Sequence, residues 1–177
     1  MSLVVCLEKL ARLTFVRVEG TRAVEHAREK MVIGATPDQC YAVAATFEEY
    51  PSWAQDIKEV VIRSRDSAGR SIDVTYRAGA FGRTTSYTLR YDYSQAPKVL
   101  SWVQIAGDIT SKLDGSYSFE SDDLNQTQVT YELAVELAVP IPGFVKRRAE
   151  VRIVHAALRD LKDRVEFVVG QKSAVAK

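Results

Sequence analysis

The feature that most constrains this chain is a change of hydrophobic period. Residues 57–139 alternate apolar and polar at a spacing of two, whereas from Val145 onward apolar residues recur every three or four positions. The change falls at the turn Pro140-Ile141-Pro142-Gly143. Side chains alternate across a strand and return to one face of a helix every 3.6 residues, so this pattern predicts consecutive strands closed by one long helix.

Turn-forming clusters divide the alternating region. Asp66-Ser67-Ala68-Gly69 separates strands over 57–65 and 70–78. Gln95-Ala96-Pro97 separates 83–93 from 98–106, and the segment 121–125 separates 112–120 from 128–139. Such short connections imply antiparallel neighbours. Upstream, 27–35 reads as a strand. Thr36 then offers a capping oxygen and Pro37 a pre-set first helical residue for a helix over 38–46, followed by a short helix over 48–53. In the closing helix Val145, Ala149, Ile153, Ala156, Ala157, Leu161, Val165 and Val168 form the apolar stripe. Arg148, Arg152, Arg159, Lys162 and Asp163 lie opposite. At 1.5 Å per residue the helix spans about 40 Å, enough to cross a sheet.

A chain of 177 residues suits one domain. We place an N-terminal appendage at 1–26, the folded domain at 27–170 and a flexible tail at 171–177. With 24 Lys+Arg against 23 Asp+Glu, no global field favours nucleic acid. Cys6 and Cys40 give neither a disulfide framework nor metal-ligand spacing, as expected of reduced thiols. The apolar run at 3–7 is broken by Glu8 and Lys9, far short of the roughly 20 residues of a membrane helix. A signal-peptide pattern is likewise missing, and the expected location is cytoplasmic.

Alternation also assigns faces. Tyr87, Leu89, Tyr91 and Tyr93 share one, with Thr88, Arg90 and Asp92 on the other. The same reading turns Ile72, Val74 and Tyr76 inward, with Tyr117, Phe119, Val129, Tyr131, Leu133, Val135 and Leu137. Many tyrosines therefore face the helix, and a buried phenol without a partner costs about 1–3 kcal/mol. A dry hollow of roughly 300 Å³ would cost on the order of 7 kcal/mol, so a hollow here must hold water or a guest. The alternative is a solid core with hydroxyls reaching its rim.

Phe47-Glu48-Glu49-Tyr50-Pro51-Ser52-Trp53 stands out as a Phe-x-x-Tyr-Pro-x-Trp element. With Ala35-Thr36-Pro37-Asp38, Gly107-Asp108, Gly115-Ser116-Tyr117 and Pro140-Ile141-Pro142-Gly143-Phe144, it resembles the polyketide cyclase/dehydrase branch of the START-like superfamily. That superfamily also holds coenzyme Q-binding proteins, and the resemblance spans residues 27–168. It implies an α+β helix-grip fold, a curved antiparallel sheet wrapped on a long C-terminal helix, with two short helices after the first strand. It further implies a cavity for a lipid, quinone or polyketide-like molecule, without implying catalysis.

The candidate binding residues are then Tyr76, Tyr87, Tyr91 and Tyr117 in the lining, with Ile153 and Ala157 on the helix. Tyr50, Trp53 and Phe144 would frame the mouth. Tyr50, Pro51 and Trp53 either gate entry or anchor the short helices to the sheet. Pro142, Gly143 and Phe144 either press on a guest or simply start the helix. Gly79-Ala80-Phe81-Gly82 reads as a plain hairpin tip, with a lid or a loop that touches a membrane transiently as the alternatives.

Asp108 and Asp114 suit turn-forming bonds as well as proton transfer. His155, between Arg152 and Arg159, reads as a solvated histidine, and His26 has no assigned role. Neither histidine has partners at metal spacing, and no cofactor is expected. Lys146, Arg147, Arg148 and Arg152 form a short basic face that falls short of a nucleic-acid surface. Arg77 and Arg90 point outward, which weakens the alternative reading as a polyketide aromatase/cyclase. The expected partner is a small hydrophobic molecule, and a third reading is an interaction or chaperone-like module that presents such a ligand to a partner protein.

Overall fold

The computed structural model describes residues 25–80, 83–122, 124–138 and 143–175, with side chains at 27–79, 84–122, 124–136, 138 and 151–172. The leader before residue 25, the hairpin tip at Phe81 and Gly82, and the turn at 139–142 lie outside the described residues. So do the side chains of His26, Phe144, Lys146, Arg147 and Arg148.

Strand β1 (Glu25–Ile33) leads into helix α1 (Pro37–Ala45), a 3-10 turn (Phe47–Glu49) and the short helix α2 (Tyr50–Trp53). Six strands follow: β2 (Ile57–Arg65), β3 (Ser71–Ala80), β4 (Arg83–Asp92), β5 (Val99–Gly107), β6 (Thr110–Ser121) and β7 (Thr127–Leu137). Helix α3 (Gly143–Val175) closes the chain. Its 33 residues span about 50 Å, longer than the apolar stripe alone implied.

All seven strands form one antiparallel sheet in the order β1-β7-β6-β5-β4-β3-β2. The expected α+β architecture, a sheet gripping a long helix with short helices after the first strand, is the one observed. Boundaries move by a few residues, β1 beginning two residues earlier than expected and ending at Ile33. Beyond it, Gly34 N donates to the side chain of Glu166 on the helix and Ala35 N donates back to Ile33 O at 2.9 Å, so the ladder stops.

Local chemistry explains the element ends. Gln39 N donates to Thr36 Oγ1 and Thr36 N donates to Gln39 Oε1 at 2.9 Å, a reciprocal cap that starts α1. Asp66 Oδ1 accepts from Ala68 N and Arg70 N, and Gly69 takes a φ of +79°, folding the β2–β3 turn. Asn125 supplies the left-handed residue of the β6–β7 turn.

The outer sheet face carries ion pairs. Arg77 Nη1 meets Glu59 Oε2 at 2.8 Å, Arg90 clasps both oxygens of Asp73, and Arg28 Nε meets Glu132 Oε1 at 2.9 Å. Both mid-strand arginines thus point outward, as alternation predicted.

Helix α3 is fastened to β1 on one side. Lys162 Nζ donates to Val32 O at 2.8 Å, Gly34 N donates to Glu166 Oε1 at 3.0 Å, and His155 Nδ1 lies 2.6 Å from Glu29 Oε1. His155 is exposed, yet it is tied to the sheet rather than merely solvated. On the other side Gln55 N donates to Asp160 Oδ2 at 3.0 Å, and Arg164 Nη2 donates to Glu49 Oε2 at 2.6 Å.

The helix buries Val154, Leu158, Leu161 and Val165 completely. The deepest row is therefore rotated from the expected stripe, because Val154 and Leu158 replace Ile153 and Ala157 at its centre. These large residues belong to one buried hydrophobic core with Ile33, Phe119 and Val129. Ile153, Ala156 and Ala157 fall to one side, where the small alanines leave space beneath the sheet. No helix among the described residues is long and apolar enough to cross a membrane.

Candidate functional site

The space beside the alanines is a cavity of about 140 Å³, half the size supposed from the sequence. Strands β3 to β7 present Tyr76, Tyr87, Tyr91, Trp102, Tyr117 and Tyr131 to it, and α2 adds Tyr50 and Trp53. Helix α3 closes it with Ile153, Ala156, Ala157 and Asp160, and Asp56 stands in the loop before β2. Left empty and dry, a void of this volume would cost about 3 kcal/mol.

The rings form a continuous surface. Tyr117 stacks on Tyr131 at 4.4 Å between centroids, and Tyr76 on Tyr87 at 5.4 Å. Trp102 touches Tyr91, Tyr117 and Tyr131 at 5.6–5.9 Å, and Trp53 meets Tyr50 edge-on at 4.6 Å. Trp102 lies flat over the sheet because its cross-strand partner is Gly115. A Cβ on Gly115 would fall 2.6 Å from Trp102 Cζ2 and 2.6 Å from Glu132 O, so only glycine fits there.

The polar atoms divide into two groups. Tyr50 Oη donates to Ala44 O at 2.7 Å, Tyr76 and Tyr91 share a bond of 2.7 Å, and Trp102 Nε1 donates to Leu113 O at 3.1 Å. By contrast, the hydroxyls of Tyr87, Tyr117 and Tyr131 have no hydrogen-bond partner among the described residues, although Tyr117 and Tyr131 are only 8% and 7% exposed. Trp53 Nε1 is buried and has no hydrogen-bond partner among the described residues either. Buried polar groups are nearly always satisfied, which makes Trp53 Nε1 an exception, and together with the three hydroxyls it gives this half of the lining donors that water or a guest can engage.

Burial pushes the phenols of Tyr87, Tyr117 and Tyr131 well above their ordinary value of 10.0. Asp56 adds to the rise at Tyr87, and Tyr131 with other neighbours to that at Tyr117. At neutral pH they are therefore hydrogen-bond donors, not bases. Asp160 is raised above 3.8, chiefly by desolvation, with Asp56 and Asp163 adding repulsion against the bond from Gln55 N and the pull of Arg159.

Asp56, Ala156 and Asp160 also border an outer hollow of about 370 Å³ with Gln55, Val151, Arg152, His155 and Arg159. This makes a polar forecourt to the aromatic chamber.

Of the residues expected at the site, Tyr50, Trp53, Tyr76, Tyr87, Tyr91, Tyr117, Ile153 and Ala157 all stand in the lining. The side chain of Phe144 lies outside the described residues. Tyr50 spends its hydroxyl on α1, so its anchoring part is plain. Asp108 and Asp114 are tied into the sheet. Asp108 accepts from Ser86 N at 2.8 Å and from Thr85 Oγ1, and Asp114 accepts from Gln104 N at 2.8 Å.

Sequence reasoning missed Trp102, Asp56 and Asp160 as lining residues. Asp160 was within reach: it follows Ile153 by seven positions and Ala157 by three, which places all three on one helical face. Trp102 alternates in step with Leu100, also in the lining. Asp56 sits in a loop, where no period assigns a face.

A curved antiparallel sheet gripping a long helix around a lined hollow is the helix-grip architecture of START-like proteins. The chain belongs to the polyketide cyclase/dehydrase and lipid transport family, whose model matches residues 24–166. Solved structures agree at the level of fold. A START superfamily protein from Mycobacterium smegmatis superposes with a TM-score of 0.76 at 21% identity, covering 81% of this chain and 98% of that one. The Zhui aromatase/cyclase of a Streptomyces species gives 0.72 at 17% identity, covering 83% and 96%. A Thermus thermophilus protein gives 0.70 at 20% identity, covering 81% and 99%. No curated protein is significantly similar in sequence.

Proposed function

We propose that this protein binds and shelters a small hydrophobic molecule, of lipid, quinone or polyketide-like chemistry, in the aromatic chamber. One observation carries the reading: a hollow of about 140 Å³ walled by rings, with the hydroxyls of Tyr87, Tyr117 and Tyr131 uncommitted among the described residues. An apolar cavity of about 150 Å³ holds one benzene ring, so the chamber suits a ring or the end of a chain. Apolar burial supplies the affinity, at about 25 cal/mol per Å² before ordering costs, and the donors orient the guest.

The test is native mass spectrometry of gently purified protein, followed by a titration panel of quinones, phenolic polyketides and lipids. A bound apolar molecule, or saturable binding by one class, supports the reading. No binding tighter than roughly millimolar across the panel would count decisively against it.

A second reading, a polyketide cyclase, is favoured by Asp160, a desolvated carboxyl in the wall of a chamber of donors. Asp160 would take a proton while the phenols stabilise developing negative charge on an oxygen. Turnover of a model polyketide that survives Ala156→Ser but is lost in Asp160→Asn would establish it.

A further inference from the structure

We infer that the chamber selects its guest by charge, admitting a neutral ring that carries an oxygen acceptor and rejecting the same ring bearing a carboxylate. The inference rests on the reading of the chamber as a ligand site.

Three observations converge on it. The first is what the wall offers. Tyr87, Tyr117, Tyr131 and Trp53 Nε1 present hydrogen atoms without protein acceptors among the described residues. A ketone, quinone or phenol oxygen satisfies such groups.

The second is what the wall lacks. Among the described residues lining the chamber there is no lysine, arginine or histidine. An anion carried inside loses its hydration and meets no counter-charge from the described lining, which is costly in a desolvated site.

The third is the charge at the entrance. Asp160 borders both the chamber and the outer hollow, so a carboxylate at the threshold faces its like charge. Arg152 and Arg159 belong to the outer hollow only, and both are exposed. They can hold an anionic group on an arm that reaches back out, but not one fixed to the buried ring. His155, in the same hollow, is engaged with Glu29.

The decisive comparison uses 4-ethylacetophenone and 4-ethylbenzoate, near-isosteres that differ in charge. The chain has two tryptophans, Trp53 and Trp102, and both line the chamber. Trp102 also borders an outer hollow with Arg70 and Arg90, so it is the joint shift of both indole N–H resonances of ¹⁵N-labelled protein that reports occupancy of the chamber. At pH 7 the ketone should shift both resonances and bind at least about tenfold more tightly than the benzoate. In Asp160→Asn the penalty on the benzoate should shrink by at least about threefold, since that threshold charge is gone.

Equal affinity of the two probes in the unaltered protein overturns the selection while leaving the ligand site standing. A penalty unchanged in Asp160→Asn, checked for folding by circular dichroism, removes that threshold charge as its cause. If neither probe moves an indole resonance, the ligand-site reading itself fails, and the selection with it. The first comparison needs no variant, so a misfolded mutant cannot shield the inference.

Discussion

The division of the phenols into committed and uncommitted hydroxyls makes a sharp prediction about Tyr→Phe changes. Tyr76 Oη and Tyr91 Oη share a 2.7 Å bond, and both rings are almost completely buried. Tyr76→Phe removes that bond and strands the Tyr91 hydroxyl, which costs about 1–3 kcal/mol. For a domain of this size a loss of 1 kcal/mol lowers Tm by roughly 2–4 °C, so a fall of about 2–12 °C is expected. Tyr117→Phe and Tyr131→Phe remove hydroxyls that no described residue engages, and they keep the 4.4 Å ring stack. Their stability should change by less than about 0.5 kcal/mol, the range of a substitution that breaks nothing.

Binding of an oxygen-bearing ring should show the reverse order. Each of Tyr117→Phe and Tyr131→Phe loses about 3–10-fold in affinity, equivalent to one hydrogen bond of about 1 kcal/mol. Urea denaturation followed by circular dichroism reads the stabilities, and indole resonance titration reads the affinities. If Tyr117→Phe or Tyr131→Phe destabilises as much as Tyr76→Phe, those hydroxyls are held by the protein and the argument for an unfilled donor wall collapses.

Two further predictions follow from particular contacts. Gly115→Ala should destabilise by about 1–3 kcal/mol and displace the Trp102 indole resonance, because the new methyl group overlaps both the ring and the Glu132 carbonyl; a silent Gly115→Ala would contradict the close approach. Asp160 has a pKa above its ordinary 3.8, so the folded chain holds that proton more tightly than the unfolded chain does. Stability contributed by this group is therefore full below 3.8 and lost as pH rises through the folded value. Asp160→Asn still accepts from Gln55 N and should gain stability relative to the parent as pH climbs from 3.8; parallel stability–pH curves would refute the assignment.

Much of this architecture was legible because period and burial coincide. Tyr87, Leu89 and Tyr91 alternate with Thr88, Arg90 and Asp92, and the same alternation puts rings inside and the Arg90–Asp73 pair outside. The Thr36-Pro37 start and the Asp66 turn were readable for a simpler reason: the side chains that make them lie within four residues of one another. Helix α3 was harder. Its stripe contains both large and small apolar residues, and only packing decides that Leu158 sinks into the core while Ala157 borders a void. Hydroxyl commitment was not readable at all. Whether Tyr76 or Tyr117 finds a partner depends on distances across strands fifteen residues or more apart. Asp56 escaped because loops carry no periodic signal.

One consequence of the two-faced sheet concerns how such a protein can vary. Arg77 with Glu59, and Arg90 with Asp73, brace the outer face in the same strands that furnish the inner rings. A deletion of one residue within β3 or β4 would exchange the faces, driving guanidinium groups inward and turning phenols out to solvent. The chamber can therefore be re-lined by substitution at fixed positions, but not by insertion or deletion within those strands. Diversity of guest among such sheets is expected to come from exchanged side chains and altered loop lengths, with strand lengths conserved.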